Sequence, residues 1–162
     1  MIALQKIKNL ISELENISIG FSEINFIIPE HLEAEQTGYR VDSEGNSLVT
    51  GQPGDWQESW LVIASDSLGD PIFFDCYHKC LPVFTAPFGE GIWEAVQIAD
   101  GFEQFKILVR DLKLLSVNRD SPTDLKHNPI PPTEITKFVQ KMEQNNPSSD
   151  FRYWETFLTE CL

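Results

Sequence analysis

The sequence predicts a single α+β domain, residues 1–162, in which a central, mostly antiparallel sheet packs against an N-terminal helix, a helix after the last strand and C-terminal helices. Three observations carry this. A helical stripe opens the chain, short apolar runs joined by links too short for parallel crossovers fill its middle, and helical stripes close it. At 162 residues, with 41% hydrophobic and 23% charged, the chain can bury a core without disulfide or metal staples.

In chain order, Ile7, Leu10, Ile11 and Leu14 fall at the i, i+3, i+4, i+7 spacing of one helix face, with Gly20 past its end. Residues 24–28 are an apolar run stopped by Pro29, and residues 30–36 fit one or two helical turns. Gly38, Gly45, Gly51, Pro53 and Gly54 surround two strand-like pieces, 39–41 and 48–50, which suit a hairpin turning at Ser43-Glu44-Gly45-Asn46.

Trp60-Leu61-Val62-Ile63-Ala64 is continuously apolar, the pattern of a central strand covered on both faces. Asp66-Ser67-Leu68-Gly69-Asp70 is rich in turn formers, and Pro71-Ile72-Phe73-Phe74 is the next strand. Pro82-Val83-Phe84-Thr85 and Ile92-Trp93-Glu94-Ala95-Val96 supply a third and a fourth, and the short links make a meander. Gly89-Glu90-Gly91 reads as a turn, because the rest of a phosphate-binding fingerprint is missing and its glutamate would repel phosphate.

Asp100-Gly101-Phe102-Glu103 looks like a capping box with Asp in the cap position, opening a helix striped by Phe102, Phe105, Leu108, Val109, Leu112 and Leu115. Residues 118–132 hold four prolines, at 122, 129, 131 and 132, and read as a loop. Two helices follow, one marked by Ile135, Phe138, Val139 and Met142, the other by Phe151, Trp154, Phe157, Leu158 and Cys161. No internal repeat appears.

Charge is the informative number. The net charge is −13, and residues 1–100 hold 16 acids against 4 bases, whereas residues 101–162 hold 9 against 8. Between Glu13 and Asp75 stand 13 acids, with Arg40 the only base. A field of one sign repels phosphates and attracts a basic partner, although a plain solubility surface would give the same count. The predicted partner contacts are Glu33, Glu35, Asp42, Glu44, Asp55 and Glu58. Trp56, between Asp55 and Glu58, suits either an exposed interface anchor or a buried strand start. Trp60, Trp93 and Trp154 lie in apolar patterns and read as core.

Lys6 interrupts the start before any apolar run reaches signal-peptide length, and no stretch approaches the roughly 18 apolar residues of a membrane span. Cytoplasmic placement and reduced thiols at Cys76, Cys80 and Cys161 are the expectation. Cys76, His78 and Cys80 alternate, as one side of a metal site would, but no second Cys-His cluster accompanies them, and they read as a loop or strand end joining Phe74 to Val83. Asp66, Asp70 and Asp75 lack the spacing of a calcium loop and suit turns, with Asp66 able to cap its own. His31, His78 and His127 fall in no triad, zincin or nucleophile-elbow motif. No catalytic, cofactor-binding or metal-binding residue is assigned, and the expectation is a non-enzymatic protein that takes no cofactor.

Together, Trp60-Leu61-Val62-Ile63-Ala64, the run from Asp66 through Phe74 to Asp75, Pro82-Val83-Phe84-Thr85-Ala86, Gly89-Glu90-Gly91-Ile92-Trp93-Glu94 and Ile98-Ala99-Asp100-Gly101-Phe102-Glu103-Gln104-Phe105 resemble the SUKH superfamily. That group includes yeast cell-wall regulators and many bacterial immunity proteins. The resemblance covers residues 56–108, fits the N-terminal helix loosely and leaves the two C-terminal helices unmatched. It implies an α+β fold and a non-enzymatic role, commonly the occlusion of a toxin domain such as a nuclease. The partner it implies is a basic protein, with no direct contact to nucleic acid or membrane. The alternative is an intracellular regulatory adaptor that binds a housekeeping protein, and a toxin gene next to this one would favour immunity.

Overall fold

An antiparallel six-stranded sheet organises the protein, whose computed structural model describes residues 2–89 and 91–161. Its order is β1 (Ile17–Ile19), β2 (Ser22–Phe26), β3 (Trp60–Asp66), β4 (Pro71–Asp75), β5 (Val83–Thr85) and β8 (Val96–Ala99). A two-stranded hairpin, β6 (Phe88–Gly89) and β7 (Ile92–Trp93), is inserted before the last of these. Helix α1 (Leu4–Ile11) precedes the sheet, and α2 (Phe102–Leu115), α3 (Pro122–His127), α4 (Pro132–Asn145) and α5 (Arg152–Thr159) follow it. This is the expected α+β meander. No described helix is long and apolar enough to cross a membrane.

Strand β3 explains the architecture. Leu61 and Ile63 join the larger core with α1, α2, α4 and α5, whereas Val62 joins a second core on the other face. The alternation continues on β4, where Ile72 and Phe74 face the helices and Phe73 faces away. Two buried faces are what a continuous apolar run requires. The second face is closed by residues 38–57 and β7, through Tyr39, Val49, Trp56 and Trp93. Trp154 is fully buried in the larger core, and its indole Nε1 donates to the Ile98 carbonyl at 2.7 Å.

Six expectations are corrected. The first helix ends at Ile11, although Leu14 stays buried beyond it. Gly20 is past that helix but does not close it: with Phe21 it forms the turn joining β1 to β2. Neither 39–41 nor 48–50 is a strand: Val41 alone makes isolated bridges, to Thr37 and to Ser47, and 48–50 make none, while the turn at 42–46 closes through Asp42 N to Asn46 O at 2.9 Å. The last sheet strand is Val96–Ala99 and not 92–96, because Ile98 and Ala99 carry the buried side chains while Ile92 is exposed. Asp100 caps no helix. Its carboxylate accepts from Ser148 N at 3.1 Å and Ser149 Oγ at 2.5 Å, tying the start of α2 to the α4–α5 link. Finally, the proline-rich stretch contains α3, since Pro122 sits in the first turn, where its missing N–H costs nothing, and Ser121 Oγ accepts from Asp124 N at 3.1 Å. The Gly89-Glu90-Gly91 turn includes Glu90, which lies outside the described residues.

Candidate functional site

The predicted contact residues lie on one lobe, residues 33–58, and the chain positions that lobe with two devices. The first is aromatic. Trp56 is 1% exposed, and its ring packs on Phe73 at 4.8 Å, Tyr39 at 5.0 Å, Trp60 at 5.2 Å and Trp93 at 5.3 Å between centroids. The tryptophan is thus the buried pin of the lobe and not an exposed anchor. The second device is Gln36, a buried polar side chain. Its amide nitrogen donates to the Leu32 carbonyl at 2.8 Å and the Val62 carbonyl at 2.9 Å, and its oxygen accepts from Val62 N at 2.9 Å. The β2–β3 ladder ends at Phe26 and Ala64 with one further bond, Ile27 N to Ile63 O at 2.8 Å, so this amide takes it up at Val62 where the strand has left.

Between the lobe and the start of α1 runs an open groove of about 710 Å³, lined among others by Leu4, Glu33, Gln36, Arg40, Val41 and Glu58. The structure therefore brings Glu33, Glu58 and Arg40 to one place. Glu33 pairs with Lys8 at 3.0 Å, and Glu58 accepts from the Tyr77 hydroxyl at 3.2 Å, which holds that phenol above its ordinary pKa. Glu35 and Glu44 are exposed on the same lobe.

Asp42 and Asp55 do different work. The Asp42 carboxylate accepts from Glu44 N at 2.8 Å and from Asn46 N and Nδ2 at 2.9 Å each. These bonds, the Asn46 side chain first, hold its carboxyl below the usual range, so the turn they close persists above the unfolded carboxyl pKa and loosens as pH falls through the lowered one. Asp55 accepts from Thr50 Oγ1 and braces the far end of the loop. Part of the acidic run therefore builds the lobe's turns, and the same holds further on. Asp66 Oδ1 accepts from Leu68 N at 2.9 Å and Asp70 N at 3.0 Å, capping its own turn as expected, and Asp75 accepts from Tyr77 N at 3.1 Å.

Cys76, His78 and Cys80 form a tight turn after β4. Cys76 is buried and its thiol is pushed up to about 11, mainly by burial, with the Asp75 charge adding to it, whereas Cys80 is exposed. Among the described residues, no three His, Cys, Asp or Glu side chains converge so as to hold a metal ion. Since the thiolate is the reacting species, native protein treated with iodoacetamide should be labelled at Cys80 first, with Cys76 and Cys161 reacting only on unfolding. Peptide mass spectrometry checks this, and equal rates at Cys76 and Cys80 would contradict the burial.

Sequence reasoning missed Gln36. Its only signal is a polar residue four positions after the apolar Leu32 in a helical turn, and the strand it serves is 26 residues away. Compared with known proteins, the chain matches no family model, no curated sequence and no solved structure.

Proposed function

We propose that the protein is a non-enzymatic binder of a basic protein partner, acting as an immunity protein that occludes a nuclease-type toxin, as its likeness to the SUKH superfamily implies. The observation that carries this is the acidic run with a single base, whose exposed members Glu33 and Glu58 line a groove while Glu35 and Glu44 stand exposed on the same braced stretch, residues 33–58. A nuclease presents a basic surface to nucleic acid. An acidic lobe held rigid before contact meets that surface with complementary potential and little ordering cost, which raises the association rate and rejects acidic competitors.

Affinity capture from the native cell, followed by mass spectrometry, identifies the partner, and an acidic partner would overturn the reading. The lobe itself is tested with Glu35→Lys combined with Glu44→Lys. Asp42 is a poor choice, because its replacement also opens the turn that it closes. The double variant should associate about tenfold more slowly at low salt, with the difference shrinking at about 1 M salt as the Debye length falls to about 3 Å. Stopped-flow rates decide this, and a rate unchanged from the parent places the contact elsewhere.

A further inference from the structure

A second groove, of about 700 Å³, lies between α5 and the β3–β4 turn. Tyr153 from α5 crosses it, its hydroxyl donating to Asp66 Oδ2 at 3.1 Å, and burial followed by the Asp66 charge holds that phenol well above its ordinary pKa as a donor. Two apolar side chains stand at its edge with no cover: Leu68, 86% exposed at the tip of the β3–β4 turn, and Phe21, 64% exposed at the tip of the β1–β2 turn. Asp66, Asp70 and Glu160 give the rim negative charge. Among the described lining residues the one cation is Arg152, an exposed side chain paired with Asp150 by bonds of 2.7 and 3.0 Å, so that pair cancels and Asp66, Asp70 and Glu160 leave the rim negative.

An apolar wall with an acidic rim selects its occupant. The rim repels phosphate, which disfavours nucleic acid, and a second copy of a chain of net charge −13 would bring more acids to it. We propose that this groove docks a basic amphipathic segment of a protein partner, its apolar side chains seated between Phe21 and Leu68 and its lysines or arginines over Asp70 and Glu160. The proposal rests on the reading of the partner as basic and adds a second, apolar contact to that of the acidic lobe. Apolar burial supplies residence time and the rim supplies orientation.

The test uses the full chain and two synthetic helical peptides, one with a leucine face and a lysine face, the other with glutamate in place of lysine. In amide NMR spectra the lysine peptide should shift the signals of Phe21, Leu68, Thr156 and Glu160, and the glutamate peptide should not. Phe21→Ser combined with Leu68→Ser should weaken the lysine peptide about tenfold or more, since both rings and branches would lose buried area, while thermal melting stays near that of the parent because both sites are exposed. Glu44→Lys alone should leave this affinity within about threefold, as Glu44 is exposed, lies outside the groove's lining and is screened by salt. Shifts confined to residues 33–58, or parental affinity in the Phe21 and Leu68 variant, would overturn the groove. With the captured partner, loss of rate in the lobe variant alone keeps the first reading and rejects the groove; loss in the groove variant alone does the reverse.

Discussion

Gln36→Leu is expected to lower the unfolding free energy by about 3 kcal/mol or more, because it leaves the N–H and C=O of Val62 in the central strand without partners and frees the Leu32 carbonyl. Each buried backbone group left unpaired costs about 1–3 kcal/mol, and leucine, similar in volume, leaves no room for a water to replace the amide. The companion variant Gln36→Glu separates hydrogen bonding from packing. Its carboxylate can accept from Val62 N but cannot donate to either carbonyl, and burial would raise its pKa. Protonated, it can donate again. Relative to the parent at each pH, this variant should therefore be most stable below the unfolded glutamate pKa of about 4.3 and lose stability as pH rises through the raised folded value. Urea unfolding from pH 4 to pH 8 reads both. A flat pH dependence, or a Gln36→Leu loss under about 1 kcal/mol, would mean that the amide is not the ladder's continuation.

The consequence reaches the proposed site. Gln36 lines the groove beside Glu33 and Arg40, and the lobe hangs from it at one end and from Trp56 at the other. Loosening either anchor lets the carboxylates spread over more conformations, so a partner must order them on binding and affinity falls without loss of charge. Rigid presentation is what distinguishes a docking surface from a merely soluble one.

How legible this was in the sequence follows from the range of each signal. Strand β3 announced itself because burial on both faces writes a continuous apolar run, and α2 because one helix face repeats over four turns. Strand β1 has three residues, too few for a period, and its Gly20 resembles a helix stop as much as a hairpin turn. The prolines misled by number: Pro122 and Pro132 each sit where a helix starts and needs no N–H, so a cluster that looks like a breaker holds two beginnings. For the candidate site, counting acids marked residues 33–58 but not the division of labour within them. Asp42, Asp66 and Asp75 bond backbone N–H groups of their own turns, while Glu35 and Glu44 point their charge outward. Net charge records both kinds alike. The aromatic pin at Trp56 was open to two readings because its neighbours Phe73 and Trp93 are brought to it only by the sheet.

The other large effect is expected at Gly20. Gly20→Ala should destabilise the protein by about 3 kcal/mol or more, through two separable terms. The residue has φ +58°, a conformation that costs an L-residue about 1–2 kcal/mol. In addition, a Cβ would stand 1.9 Å from the Cys161 carbonyl oxygen and 2.7 Å from Leu125 Cδ2, and the first of these is backbone that cannot rotate away. The space is closed because the hairpin is docked on the C-terminal helices: Gly20 N donates to Arg119 O at 2.9 Å, Phe21 N to Cys161 O at 2.7 Å and Ser22 Oγ to Phe157 O at 2.8 Å. Relieving the clash means giving up one or more of these bonds, each worth about 1 kcal/mol net. Gly69→Ala is the control, since Gly69 has φ +82° but nothing within 4 Å of a built Cβ, so it carries the conformational term alone. Urea unfolding should show the Gly20 variant losing at least about 2 kcal/mol more than the Gly69 variant. Equal losses would mean that the backbone at Cys161 yields to the methyl group, and the hairpin, with Phe21 at its tip, would then be less firmly held beside the second groove than these bonds require.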